Sequence, residues 1–259
     1  MKRVLMAALA AVIGLGGTAY AADTQGLQLK DANSKNKMKT ISADKFPVRH
    51  GKSGLVFQVR DGQCKGNRTY DDCKGGRERS EVQDTKAIKT DTETWYAFSL
   101  MIPNSTPHIE PSGTILAQFQ DTKGSGEITL GFEMWGDGLY IVQDDPRTQQ
   151  VDDMDPPKPM VNKRLVSNGQ LRGRWHDIKV QAVWSVQESG LLRVWLNDRL
   201  VHEHRGRNLN RNVAPAFKFG VYRSGLNKYR AQKGAVPTQT VFFDSVARGP
   251  SQASVTITD

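Results

Sequence analysis

Three short stretches of the 259-residue chain set polar side chains two residues apart. That is the spacing at which side chains of a β-strand fall on one face of a sheet. In RERSEV these are Arg77, Arg79 and Glu81; in LAQFQD they are Gln118 and Gln120; in FKFGVYRS they are Lys218, Gly220 and Tyr222. A phenol, cations of two kinds and carboxamides gathered on a concave sheet would line a polar groove suited to an acidic polymer, with Gly220 leaving room beside Tyr222. On an outward face the same residues would simply be solvated.

The elements that must position them read as strands. Leu55–Arg60, Trp95–Ile102, Thr114–Gln120, Ile128–Trp135, Gly138–Gln143, Trp175–Trp184, Leu191–Leu196, Ala216–Tyr222 and Thr240–Val246 are β-prone segments of strand length separated by Gly, Asn, Asp and Pro. No long stretch past the first twenty or so residues keeps a helical apolar stripe. About ten strands without a fixed repeat predict an all-β, jelly-roll sandwich of two antiparallel sheets rather than a propeller. The run from Trp175 through Ser189-Gly190 to Asn197-Asp198 reads as a hairpin followed by a tight turn, and resembles the paired strands of concanavalin-like lectin and glucanase jelly rolls. The polar, Pro-rich stretch 143–164 is expected to be a long surface loop. Its Asp144, Asp145, Asp152, Asp153 and Asp155 could hold a structural calcium ion or merely be solvated; they do not follow an EF-hand pattern.

Lys2 and Arg3, an apolar run from Val4 to Leu15 and small residues at Ala19 and Ala21 make residues 1–22 a secretory signal peptide, leaving 23–259 as a single domain. The run is too short for a permanent membrane anchor, which takes about 20 residues. The chain is therefore expected to be secreted or periplasmic, with no membrane partner. Removing Lys2 and Arg3 takes the formal charge from +9 to +7, which fits a polyanionic partner as well as plain solubility. The basic charge is diffuse and no nucleic-acid-binding motif accompanies it, so no nucleic acid is expected. Cys64 and Cys73 read as one disulfide closing a short surface loop ahead of RERSEV, and no metal site is assigned to them.

RERSEV, QFQ and KFGVY, in this order and together with WYAFSLMIP and GRWHDIKVQAVW, resemble the family 7 alginate lyases and the related heparin lyase I and glucuronan lyase groups, which are β-jelly rolls. The resemblance implies β-elimination on a uronic acid unit of an acidic polysaccharide, without a required cofactor. Removal of the C5 proton needs donors around the neighbouring carboxylate. Arg79 and Gln118 are the candidates for that task, and Lys218, Arg77, Glu81, Gln120 and Arg223 for binding substrate. Tyr222 would act as base and then acid, if the proton and the leaving oxygen lie on one side. Its phenol, with an unperturbed pKa near 10, would need neighbouring cations such as Lys218, Arg79 or Arg223. A monomer is expected.

One position departs from the family pattern. The histidine of the family's Q-x-H block is Gln120 here, and a carboxamide cannot hold a proton at neutral pH. Either Tyr222 works alone or another histidine substitutes, and His50 is the candidate because it precedes RERSEV much as a histidine does in the glucuronan lyases. His176 reads as structural and His108 as incidental. His202 and His204 alternate at a strand end, which is weak support for a metal. Two other activities compete: a lectin-like binding protein, and a hydrolase using Glu81 and Glu133 at about 5–9 Å.

Overall fold

Apolar residues at every second position give most strands one greasy face, and two sheets bury those faces against each other. The computed structural model describes residues 24–32, 35–66, 71–123, 126–147 and 159–257. The signal-peptide segment and Asp152, Asp153 and Asp155 lie outside the described residues. Fifteen strands are found within them.

One sheet runs in the order β13 (Arg199–Arg205), β12 (Leu191–Leu196), β11 (Trp175–Val183), β6 (Glu93–Met101), β15 (Gln239–Gly249), β4 (Ser53–Val59) and β3 (Lys39–Ser42). A short β1 (Thr24–Gln25) joins β15 in parallel. The other sheet runs β10 (Val161–Ser167), β9 (Gly138–Gln143), β8 (Ile128–Trp135), β7 (Thr114–Gln120), β14 (Ala216–Arg223), β5 (Glu78–Asp84) and β2 (Leu29–Asp31). The named strands otherwise pair antiparallel. Two short helices, α1 (Asn168–Leu171) and α2 (Leu226–Lys233), cap strand ends. No helix among the described residues is long and apolar enough to cross a membrane.

The space between the sheets is filled by aromatic rings. Phe57 packs edge-on against Phe219 and Phe243, and Phe119 sits between Tyr96, Phe217 and Trp184, all fully buried. Phe217, Phe219 and Val221 of β14 point into this core. The alternation therefore sends Lys218, Gly220 and Tyr222 to the opposite face.

One expectation changes and another is extended. The 143–164 stretch is not all loop: Val161 opens β10, whose Asn162, Lys163 and Arg164 pair with β9. β10 is an edge strand in which Asn162, Lys163 and Arg164 separate Val161 from Leu165 and Val166, so it shows no period-two apolar signal to read. The turn after β12 is the tight one expected, with Asn197 and Asp198 both at positive φ (48° and 61°), and it leads into a further strand, β13.

Candidate active site

The three polar stretches, distant in sequence, lie on adjacent strands. β14 is the middle strand, with β5 on one side and β7 on the other. Tyr222 stands opposite Arg79, Gly220 opposite Glu81 and Lys218 opposite Gln83; across the other edge Lys218 faces Gln118 and Ala216 faces Gln120. Gly220 carries φ +136°, and a Cβ there would lie 2.2 Å from the Ser80 carbonyl oxygen. Only glycine fits. The register against β7 shifts between Phe219 and Tyr222, a bulge that re-aims the tyrosine end of the strand.

Arg79 is the centre of the polar network. Its Nε and Nη2 donate to the two oxygens of Asp72 at 2.8 and 2.9 Å, and Nη1 reaches Glu81 at 3.5 Å. Its guanidinium carbon lies 4.3 Å from the centroid of the Tyr222 ring. Burial opposes its charge, but Glu81 and Asp72 outweigh that and hold its pKa above the usual arginine value. Asp72 adjoins Cys73, which is bonded to Cys64 as expected, so the disulfide loop delivers the carboxylate that orients Arg79. Lys218 Nζ donates to Gln120 Oε1 at 2.5 Å, and Gln120 Nε2 to the Gly126 carbonyl at 2.7 Å. Burial, with Arg79 nearby and Glu81 opposing, pushes the Lys218 ammonium below the ordinary lysine range.

Gln118 is placed differently from expectation. It is fully buried, donates Nε2 to Glu81 Oε1 at 2.5 Å, and leaves its own Oε1 without a partner. It braces the carboxylate that touches Arg79 and does not line the open groove. A cavity of about 390 Å³ is lined by Arg79, Lys218, Gln120, Tyr222, Lys30 and Gln83. A second, of about 840 Å³, shares Gln120, Gly126 and Tyr222 with it and adds Arg77, Ile115, Glu133 and Asp144. Tyr222 thus stands where the two meet. Glu133 and Asp144 were not singled out as members of this groove; the period-two set Gly131, Glu133, Trp135 on β8 is the signal that marks Glu133. Burial, then the charges of Glu133 and Glu127, raises the Asp144 carboxyl to about 6.

Two expected site residues are elsewhere. Arg223 is one position past Tyr222 and so faces the other way: it is fully buried, donating to Glu78 Oε2 from Nε at 2.8 Å and to the Pro237 carbonyl. Glu78 also accepts from Arg230 of α2 and from the Gly62 backbone, so this network is an internal brace. His50 is exposed and leads into β4, in the other sheet, with its backbone N–H on Asp244 of β15. Neighbouring Arg49 pairs with Asp177 of β11. Asp244 and Asp177 alternate with the core-facing Phe243 and Ile178, so His50 sits at the outer face of that sheet, away from Tyr222.

No other histidine replaces it. His176 Nε2 contacts the Leu171 carbonyl, His202 bonds Gln143, His204 contacts the Arg207 carbonyl, and His108 contacts Arg172. Among the described residues no group of three or more His, Cys, Asp or Glu is arranged to hold a metal ion. Glu81 and Glu133 lie in the same sheet on β5 and β8, three strand spacings or roughly 14 Å apart. That is wider than either glycosidase geometry.

No curated protein matches the chain in sequence. Among solved structures it is similar to an endo-β-1,4-glucuronan lyase from the fungus Trichoderma reesei, with TM-score 0.65 and 20% identity over 90% of this chain and 95% of that one. It is also similar to a family 7 alginate lyase, with TM-score 0.51 and 14% identity over 76% and 80%. At such identities these likenesses speak to the jelly-roll fold. The family profile described as polysaccharide lyase matches residues 17–247, nearly the whole chain. With its groove of Arg79, Lys218 and Tyr222 built on that fold, the chain belongs to the polysaccharide lyase family.

Proposed function

We propose that the protein cleaves an acidic, uronate-containing polysaccharide by β-elimination at Tyr222. The observation that carries this reading is the stacking of the Arg79 guanidinium on the Tyr222 ring in a groove that Lys218 also lines. Arg79 and Lys218 neutralise the uronate carboxylate, so that the negative charge developing as the C5 proton leaves is spread onto an anion already bound by cations. Glu81, braced by Gln118, and Asp72 hold Arg79 in place. Tyr222, as phenolate, takes the C5 proton. The C4–O bond then breaks, the C4–C5 double bond forms, and the same proton passes from the phenol to the leaving oxygen. One residue serves both steps, which suits a groove whose histidine position is filled by Gln120. The steps call for no cofactor.

The leader-like first 22 residues support export, and a groove continuous on both sides of Tyr222 supports cutting within the polymer. Tyr222→Phe is expected to lower kcat at least 10³-fold with binding of uronate oligomers retained within about threefold. Ultraviolet absorbance of the unsaturated product and calorimetric binding are the two readouts. A lectin-like protein would show binding and no absorbance change in either form.

A further inference from the structure

The groove is charged differently on its two sides of Tyr222. On one side, the cavity holding Arg79 and Lys218 shares Lys30, Gln83 and Thr122 with a further hollow of about 530 Å³, around which Lys86, Lys89 and Lys123 are exposed. The acids of this arm are already paired, Asp84 with Arg248, Asp31 with Lys37 and Asp121 with Arg211. This arm offers a row of ammonium groups to anionic sugars.

The other arm carries Glu133 and Asp144. Glu133 is paired across the sheet with Ile115, which faces Tyr222 on the next strand, so the carboxylate side chain rises about two strand spacings, or roughly 10 Å, from the tyrosine. Its Oε2 accepts from Trp135 Nε1 at 3.0 Å, and neither Glu133 nor Asp144 forms an ion pair with a described residue. Arg77 and Lys74 line the same cavity; Glu127, the other acid near Asp144, is occupied by Asn210. An ionised carboxylate only accepts hydrogen bonds. A sugar hydroxyl donates to it with the strength of a charge-assisted bond, whereas a sugar carboxylate is repelled.

We propose that the arm lined by Glu133 and Asp144 is a subsite for an uncharged sugar and the lysine arm a subsite for anionic ones. The preferred substrate is then a polymer in which uronates are interrupted by neutral sugars, not a homopolyuronate. This rests on the lyase reading only for placing the cleaved bond at Tyr222.

The test is calorimetric binding in the Tyr222→Phe protein, which separates recognition from turnover. Two oligosaccharides of equal length are compared at pH 7.5 and fixed salt: a pure oligouronate, and one alternating uronate with a neutral hexose. The mixed oligomer is expected to bind about tenfold tighter. Adding Glu133→Gln and Asp144→Asn is expected to erase that preference, tightening the pure oligouronate about tenfold and weakening the mixed one. Lys86→Ala with Lys89→Ala is expected to weaken both, leaving their ratio unchanged. Melting temperatures report whether each variant is folded, and either acid-arm substitution alone serves if the pair fails to fold. An unchanged ratio in the acid-arm variants, or tighter parental binding of the pure oligouronate, overturns the subsite while leaving the lyase reading in place. Failure of every uronate oligomer to bind overturns both.

Discussion

Arg79 and Lys218 in the groove are held by carboxylates or by an amide, and a carboxyl without such a counter-charge predicts behaviour. Asp144 sits among acids with a carboxyl raised to about 6 from 3.8. A carboxyl whose folded pKa lies above its unfolded one binds more protons in the native state, so stability falls as pH rises through the window between about 4 and 6. Asp144→Asn is therefore expected to stabilise the protein at pH 7.5 by roughly 1–2 kcal/mol, discounted for partial solvent access. The gain should shrink towards zero at pH 4, which thermal melts at the two pH values would show. The buried Arg223–Glu78 pair is the opposite case. Arg223→Met leaves a buried carboxylate short of its main partner and is expected to cost about 3–5 kcal/mol by urea denaturation, with Glu78→Gln in addition recovering part of it. Arg223 also shows where residue reading goes wrong. Its identity suits a polyanion site, but its odd position relative to Lys218, Gly220 and Tyr222 puts it on the core side, where an arginine is tolerable only because Glu78 occupies the same face of β5.

At the level of elements, the site depends on local backbone devices that polarity alone does not reveal. The alternation in QFQ and KFGVY was legible because polar residues interrupt otherwise apolar strands at a period of two; in RERSEV, part of a strand whose one apolar residue is Val82, it rested on the spacing of Arg77, Arg79 and Glu81 alone. That the three strands are neighbours was not legible from pattern; it follows from a topology that inserts β14, late in sequence, between β5 and β7. The same limit explains His50, which sits a similar interval ahead of RERSEV but leads into a strand of the opposite sheet. Polar β10 and the short β1, β2 and β3 lack the apolar alternation that marks longer strands. Gly220→Ala is expected to cost at least about 2 kcal/mol, since both its φ and the Ser80 carbonyl forbid a Cβ; urea midpoints would measure it. Under the proposed mechanism the disulfide loop bears on chemistry as well as on stability. Replacing Cys64 and Cys73 by Ser is expected to cost about 2–3 kcal/mol for so short a loop, and also to lower kcat below the effect of that destabilisation, because Asp72 would no longer be fixed beneath Arg79. Activity assayed well below each protein's melting temperature separates the two effects.

For the whole molecule, a basic chain gathers lysines along one arm of a trough and sets two acids without an ion-pair partner among the described residues, beside Arg77 and Lys74, along the other, with the proposed proton-transferring phenol between them. Net charge suggested a polyanionic partner but not the asymmetry, because Glu133 and Asp144 line one cavity only when β8 and the segment after β9 are folded side by side. The two-sheet sandwich itself was readable from strand count and spacing, since its aromatic core is written in the alternation of β4, β6, β7 and β14. The central claim is elimination by Tyr222, and its most direct measurement is the ultraviolet absorbance of unsaturated uronate formed from a panel of uronate polymers, run in parallel with the Tyr222→Phe protein. The account predicts a rise with at least one polymer that disappears in the variant while binding persists. No rise with any polymer that binds, or a rise that survives Tyr222→Phe, would contradict it.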